Sequence, residues 1–345
     1  MSNKKLSIAV IGCGIITWRH LDGMSRIDDC EVYALCETVQ DGRAEKLKAK
    51  YCNPETKIVA DYKDLLGDPQ VDAVIITTPD HTHCQITCDF LRDGKPVLLE
   101  KPMALRAEEC AEMLRVAKET GVMLMVGQVA RYSPAFGMMK ELVDSGAIGE
   151  LTFIESEYAH DYMNRRGEGD WRVHPDREGI IGGGCHAIDL LRWIAGNPID
   201  VRAYSNHKYL TTWPVNDTTV AIYNFPNNVI GKVFCSIGVK RVYTMRTCIY
   251  GTKGTLIFGN YDKTMTLYKA NPEDIHSGFT KPTIIPCNPK GHNMEAEIRD
   301  FVLAIQGGKQ PPISPLEGAS TVAVARATVE SFTKGKPVKI KYPKY

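Results

Sequence analysis

Two stretches of this chain carry residue types at spacings that can do chemistry. LLEKPMAL places Glu100, Lys101 and Pro102 directly after an apolar run. In a parallel sheet, ligands lie beyond the carboxyl ends of the strands, so a lysine there points its amine at a ligand crevice. Pro102 fixes its own φ and biases Lys101 away from helical geometry, which stops the strand and aims the amine. A partly desolvated amine gives up its proton more readily than one in water, which suits Lys101 to proton exchange with a hydroxyl near neutral pH. Glu100 beside it is placed to hold that amine or to orient a cofactor. The alternative, an exposed lysine beside a loop proline, is the commoner fate of lysine, and position rather than residue type argues against it here.

The second stretch is IGCGIIT, with Gly12 and Gly14 between a strand and a helix starting near Ile16. Such a turn lets a pyrophosphate approach the backbone N–H groups of Gly12, Gly14, Ile15 and Ile16 at a helix N-terminus. Thr17 occupies the place of the third glycine of the dinucleotide fingerprint. Glu37 closes the next strand at the interval where a carboxylate accepts from the adenosine ribose hydroxyls and repels a 2′-phosphate. NAD is therefore expected over NADP, with Arg43 on the following helix as the one feature against it.

These residues need a frame. Short β-branched runs, LSIAVIG, EVYALCE, KIVA, VDAVIITTP, KPVLLEK and VMLMVGQ, alternate with helical stretches at Asp41–Tyr51, His81–Arg92 and Ala107–Thr120. That alternation predicts a parallel sheet with helices on both faces over residues 1–130. Gly94 and Gly121 sit as helix stops, and Asp80 is placed to cap the second helix. Beyond Gly149 the chain reads strand after strand, from LTFIESEY to TLIFGN, which predicts an α+β second domain over residues 131–345 around an open, mostly antiparallel sheet. GIIGGGCHAIDLLRWIAG interrupts it and leads into one helix. Ser314, Pro315 and Glu317 form a helix-start signature for a segment reaching about Phe332, and the C-terminal helices are expected to pack back on the first domain.

Composition narrows the partners. In 345 residues, 42 Lys and Arg balance 41 Asp and Glu, which offers no electrostatic footprint for nucleic acid or an anionic membrane and leaves a small molecule as the expected partner. No apolar run is long enough to span a bilayer, and the basic opening lacks the cleavage site of a signal peptide. The eleven cysteines are odd in number and irregular in spacing, unlike a secreted disulfide framework, so a cytoplasmic location is expected. His81, His83, Cys84 and Cys88 read as residues packed on one helix, and no metal is expected.

Taken with TTPDHTH, VGQVARYSPAF, SGAIGEL and GGGCHAIDLLRWIAG, the stretches above resemble the glucose-fructose oxidoreductase, inositol dehydrogenase and MocA-like family over nearly the whole chain. The resemblance implies a Rossmann-like domain followed by an α+β domain whose outer sheet face builds a homodimer or homotetramer. It implies NAD(P)-dependent hydride transfer to or from a secondary hydroxyl of a sugar, glycoside or cyclitol, with Lys101 and His186 as the acid/base pair. A neutral imidazole suits removal of a proton from an alcohol as hydride leaves its carbon. Thr78, Pro79 and His83 match a segment near the nicotinamide half of the cofactor, and Gln128 and Arg131 lie at the crevice edge. His160, Asp161, Trp171 and Arg172 are further candidates for touching a polyol ring. The sequence departs from its relatives at Gly182, where many carry an aspartate four residues before the histidine, so their proton relay does not transfer whole. Two other functions fit the same residues: glycoside cleavage through a transient keto-sugar with no net redox change, and a non-catalytic dinucleotide-binding sensor, which the presence of both Lys101 and His186 disfavours.

Overall fold

Six short strands rich in Val, Ile and Leu, buried on both faces, are what a parallel sheet between two helical layers demands. They are β1 (Leu6–Ile11), β2 (Cys30–Cys36), β3 (Lys57–Val59), β4 (Ala73–Ile76), β5 (Val97–Glu100) and β6 (Leu124–Gly127), in the order β3-β2-β1-β4-β5-β6 with every pair parallel. The order reverses at β1, which is the switch point where such sheets bind ligands. The crossovers carry α1 (Thr17–Met24), α2 (Arg43–Tyr51), α3 (His83–Arg92) and α4 (Ala107–Thr120). Phe90, Leu99, Met113 and Val126 are among the fully buried residues of one core cluster on this sheet. Gly121 ends α4 in the left-handed conformation, the role its sequence position suggests. The computed structural model describes residues 5–269, 281–288 and 291–344, the side chain of Glu168 excepted. Residues 1–4, part of the opening weighed above as a leader, lie outside them.

One local expectation is corrected. Asp80 does not cap α3: it belongs to a 3-10 turn over Asp80–Thr82, and α3 begins only at His83, with Thr82 at its N-cap. Pro79 is extended at φ −58° and ψ 140°, and the chain after it closes a 3-10 turn before α-helical geometry opens at His83.

The second half of the chain runs α5 (Pro134–Asp144), β7 (Leu151–Ala159), α6 (Gly179–Gly182), α7 (Cys185–Ala195), β8 (Asp200–Asn206), β9 (Thr218–Asn224), β10 (Ile230–Ser236), β11 (Thr244–Gly251), β12 (Gly254–Gly259), β13 (Thr264–Lys269) and β14 (Thr283–Pro286). It closes with α8 (Met294–Gln306), α9 (Pro315–Lys334) and β15 (Val338–Lys339). The strands form one nine-stranded sheet, β14-β13-β12-β11-β7-β10-β9-β8-β15, in which only the β7–β10 pair is parallel. Alternation along β7 and β10 buries Ile154, Ser156, Tyr158, Val233 and Cys235 under the helices and leaves Phe153, Glu155, Ile230 and Lys232 on the other face. Period-two alternation with one covered face is the mark of a sheet with a single helical layer.

The chain divides into two compact units: residues 1–129 with 293–322 and 343–345, and residues 130–292 with 323–342. In the first unit α8 lies on α1, and a methyl built on Gly23 would stand 3.0 Å from the Glu295 backbone nitrogen. Gly23→Ala should therefore lower stability despite the better helix propensity of alanine, by about 1–2 kcal/mol net of the overpacking cost. Urea denaturation checks this, and a variant more stable than the wild type would contradict it.

Candidate active site

The first unit gathers its polar groups at the carboxyl ends of its strands. Gly12 has φ of 95°, and a methyl there would approach the Thr77 backbone and the Thr78 side chain at 3.1 Å, so the turn after β1 admits only glycine. Thr17, in place of a third glycine, donates from Oγ1 to the Gly12 carbonyl at 2.9 Å, and Thr77 Oγ1 donates to the same oxygen at 2.8 Å. The two hydroxyls lock the turn that the glycine permits. Around Gly14 no atom comes within 4 Å of a built methyl, and Ile15 is exposed. This is open room in front of the α1 N-terminus, as a pyrophosphate requires.

Glu37 is buried at the end of β2. Its carboxylate accepts from the Cys13 N–H at 2.9 Å and the Val39 N–H at 2.9 Å, which ties the second strand to the glycine turn. Arg43, the one feature against NAD, pairs with Asp41 at 2.6 Å and holds that carboxyl down at about 2, chiefly through their side-chain hydrogen bond. Its guanidinium is thus directed to its own helix start. His83 is fully buried, with its ring nitrogens 3.0 Å from the Thr78 and Pro102 carbonyls, so it clamps the walls on either side of the lysine loop. Gln128 is buried with its side-chain oxygen unpartnered among the described residues. An orphaned amide oxygen at the end of β6 fits a carboxamide N–H of a nicotinamide.

Lys101 follows β5 through a cis peptide to Pro102 and is half-buried. Glu100 was expected to hold its amine or the cofactor. Its carboxylate accepts from His20 Nε2 at 2.8 Å and from the Lys101 backbone N–H at 3.0 Å. Burial alone would raise the Glu100 pKa, but the hydrogen bond and charge of His20, with Lys101, outweigh it and hold the carboxyl at about 2. Neither His20 nor a second acid, Glu297 on α8, was singled out from the sequence. Glu297 is fully buried, and burial followed by the charge of Glu100 raises its pKa well above the ordinary value. Both were legible in principle: Met294, Glu297, Ile298 and Phe301 form one helical stripe, in which the glutamate is the misfit.

In the second unit, α7 presents His186. Its ring stacks on Tyr158 with centroids 5.9 Å apart and lies 5.5 Å from the ring of His292. Tyr158 shares a 2.7 Å hydrogen bond with the Tyr162 hydroxyl and lies 3.4 Å from His160 Nδ1, while the Tyr243 hydroxyl lies 3.2 Å from His292 Nε2. Burial, then the nearby tyrosines, raise the Tyr158 pKa well above the ordinary value, so it remains a phenol. The Gly-rich segment makes this box possible, because a methyl on Gly183 would meet the Tyr158 ring at 2.4 Å. A methyl on Gly182 would meet the Arg177 guanidinium at 2.3 Å. The place of the relatives' aspartate is filled by an arginine.

The other substrate candidates divide by what they touch. Arg131 makes a two-pronged ion pair with buried Asp189, at 2.8 and 2.7 Å, so its charge anchors α7. Asp161 pairs with Lys240 at 2.8 Å. Trp171 lies between two guanidiniums, Arg172 at 4.1 Å and Arg177 at 4.8 Å from its ring centroid. His160 faces Tyr162 and Tyr243 within the aromatic box. Tyr158, Tyr243, His292 and Arg177 went unremarked in the sequence, for they meet only through sheet pairing and a loop.

A glycine turn on β1, a buried carboxylate ending β2 and a lysine ending β5 of a parallel sheet mark a dinucleotide-binding oxidoreductase. The chain belongs to the GFO/IDH/MocA oxidoreductases: residues 6–128 match the oxidoreductase family with an NAD-binding Rossmann fold, and residues 136–257 match the GFO/IDH/MocA C-terminal domain. It is 27% identical over 341 residues to inositol 2-dehydrogenase 2 of Saccharopolyspora erythraea, covering 97% of this chain and 96% of that one. Myo-inositol 2-dehydrogenase of Thermotoga maritima is 24% identical over 346 residues, covering 97% and 98%. In fold it is similar to a levoglucosan dehydrogenase in complex with NADH, with a TM-score of 0.88 at 21% identity, covering 98% of this chain and all of the other. Among the described residues, no helix is long and apolar enough to cross a membrane.

The two buried acids give stability opposite pH dependences. Glu100, at about 2 in the fold against 4.5 as its ordinary value, contributes stability that is present above 4.5 and lost as pH falls through about 2. Glu297 keeps a proton that the unfolded chain releases near 4.5, so its contribution worsens as pH rises from there. The melting temperature of Glu297→Gln relative to wild type should therefore climb steadily between about pH 5 and about pH 8. A difference independent of pH, measured by calorimetry, would rule this out.

Proposed function

We propose that this protein is an NAD-dependent dehydrogenase acting on a secondary hydroxyl of a sugar, glycoside or cyclitol, with Lys101 and His186 as its acid/base pair. The observation that carries the reading is Lys101 at the end of β5, in a frame fixed by the Glu100–His20 pair to the same helix that follows the glycine turn. The NAD would supply the hydride acceptor. Gly12, Gly14, Ile15 and Ile16 would cradle its pyrophosphate, Glu37 its ribose hydroxyls, and Thr78, Pro79 and Gln128 its nicotinamide half, with His83 and Glu100 bracing the walls. Lys101 would contact the reacting hydroxyl and exchange its proton, and His186, held by stacking on Tyr158, would serve as the second base or acid. Trp171, Arg172 and His160 offer stacking and donors to a polyol, while Arg131 and Asp161 are each held in an ion pair. The inositol dehydrogenases among the relatives support a cyclitol or sugar as the substrate class.

Stoichiometric NADH formation from at least one member of a panel of cyclitols, pyranoses and pyranosides is expected. Lys101→Ala and His186→Asn should each lose about 10²–10⁴-fold in kcat/KM, as for removal of an acid/base group, while still binding NAD by fluorescence titration. Glycoside cleavage with retained NAD and no net NADH would replace this reading by redox-assisted bond cleavage. Full biological activity in both variants would replace it by a dinucleotide sensor.

The open sheet face supports a homodimer or homotetramer. Val220, Ile222 and Ile230 are exposed there, beside Tyr204, around the paired charges Lys232 and Glu155 at 2.7 Å. An apolar patch interrupted by matched charges suits burial against a second copy in one register. Ile222→Glu should reduce the sedimenting mass to that of one chain; an unchanged mass would exclude this face. All eleven cysteines are free thiols, in keeping with a cytoplasmic protein.

A further inference from the structure

Glu297 is a buried acid that the proposed reaction does not use. It is fully buried on the apolar stripe of α8, and neither carboxyl oxygen has a hydrogen-bond partner among the described residues. Nearly all buried polar groups are hydrogen-bonded, so an orphaned carboxyl group needs a reason. Its side chain reaches the end of β6, where a methyl on Gly127 would stand 3.5 Å from Oε1 and 3.6 Å from Oε2. Gly127 is the sheet partner of Glu100. Two carboxyl groups, the His20 imidazole and Lys101 therefore converge at the ends of β5 and β6, all within the first unit. The other charges in the first turns of α8, Glu295 and Arg299, pair with each other at 3.1 Å toward solvent. Of the two acids, Glu100 has the donors and Glu297 has none among the described residues. Two nearby carboxylates do not both ionise cheaply, and the one without donors keeps the proton.

We propose that Glu297 is a positioning residue for Lys101: it remains a neutral carboxylic acid, leaving Glu100, already matched by His20, as the ionised one of the two acids behind the amine, so that Lys101 can release its proton near neutral pH. The inference rests on the reading of Lys101 as an acid/base group. Burial and Glu100 push the Glu297 carboxyl up while Lys101 pulls it down, which agrees with a neutral acid beside an amine. Ionisation of Glu297 would favour the ammonium of Lys101, and loss of that ammonium would disfavour ionisation of Glu297. The two titrate as a pair, which spreads the titration of Lys101.

The test uses the full chain with NAD bound. Lys101 is acylated competitively with acetic anhydride across the pH range and read by peptide mass spectrometry, in wild type and Glu297→Gln. Infrared spectra of both proteins report protonated carboxyl groups. The expected result is a broadened Lys101 curve in wild type and a single step in the variant, with reactivity at neutral pH matching within about twofold, well under one unit of pKa. A protonated-carboxyl band present in wild type should disappear in the variant. Superimposable Lys101 curves would overturn the proposal in favour of a purely structural glutamate. A rise of about tenfold in neutral-pH reactivity in the variant, equal to one unit of pKa, would overturn it in favour of an ionised counter-ion. If Glu297→Gln does not fold, Glu297→Met is read by the same criteria, since it keeps the volume and leaves no polar atom to satisfy. Neither readout needs turnover, so the failure of the dehydrogenase reading and the failure of this proposal are separate events.

Discussion

A carboxylate that ends a buried parallel strand must find its hydrogen bonds inside the protein, and the rest of the first unit is arranged around how Glu100 does so. It takes one donor from the chain itself, the Lys101 N–H, and one from His20 on α1. The helix whose N-terminus faces the dinucleotide turn and the strand that delivers the lysine are thereby joined by one buried contact between a carboxylate and an imidazole. A buried pair of this kind contributes little net stability, because desolvation offsets the attraction. What it provides is geometry: the glycine turn and the lysine cannot shift independently without stranding a buried charge.

The second unit solves the same problem with rings instead of charges. His186 begins α7 against Tyr158, and the close approach of that ring is possible because residue 183 has no side chain. Tyrosine hydroxyls and histidine nitrogens then satisfy one another along Tyr162, Tyr158 and His160, and across Tyr243 and His292. Groups that are neutral near pH 7 can be buried in number where carboxylates cannot. On the same helix as His186, buried Asp189 pairs with Arg131 and fixes α7.

How much of this was legible in the sequence follows from the range of the interactions. The parallel sheet, the glycine turn, Glu37 and Lys101 are set by local pattern, since strand ends and turns are written in consecutive residues. The start of α3 was misplaced because a proline-led 3-10 turn and a helix share the same composition at Asp80–Thr82. Tyr243 and His292 stayed hidden for a different reason: each acquires its meaning from a partner far along the chain. Arg43 shows the reverse. Its type argued for a 2′-phosphate, and only the geometry of its pair with Asp41 two residues earlier directs it elsewhere.

The exchange at Gly182 limits what can be inherited from relatives. An aspartate in that place would add negative charge one helical turn before His186 and would favour the imidazolium. Here the space belongs to the guanidinium of Arg177, which lies over the Trp171 ring. A guanidinium carries only donors, so it stands where the resemblance implies an acceptor and changes the hydrogen-bonding character of that wall.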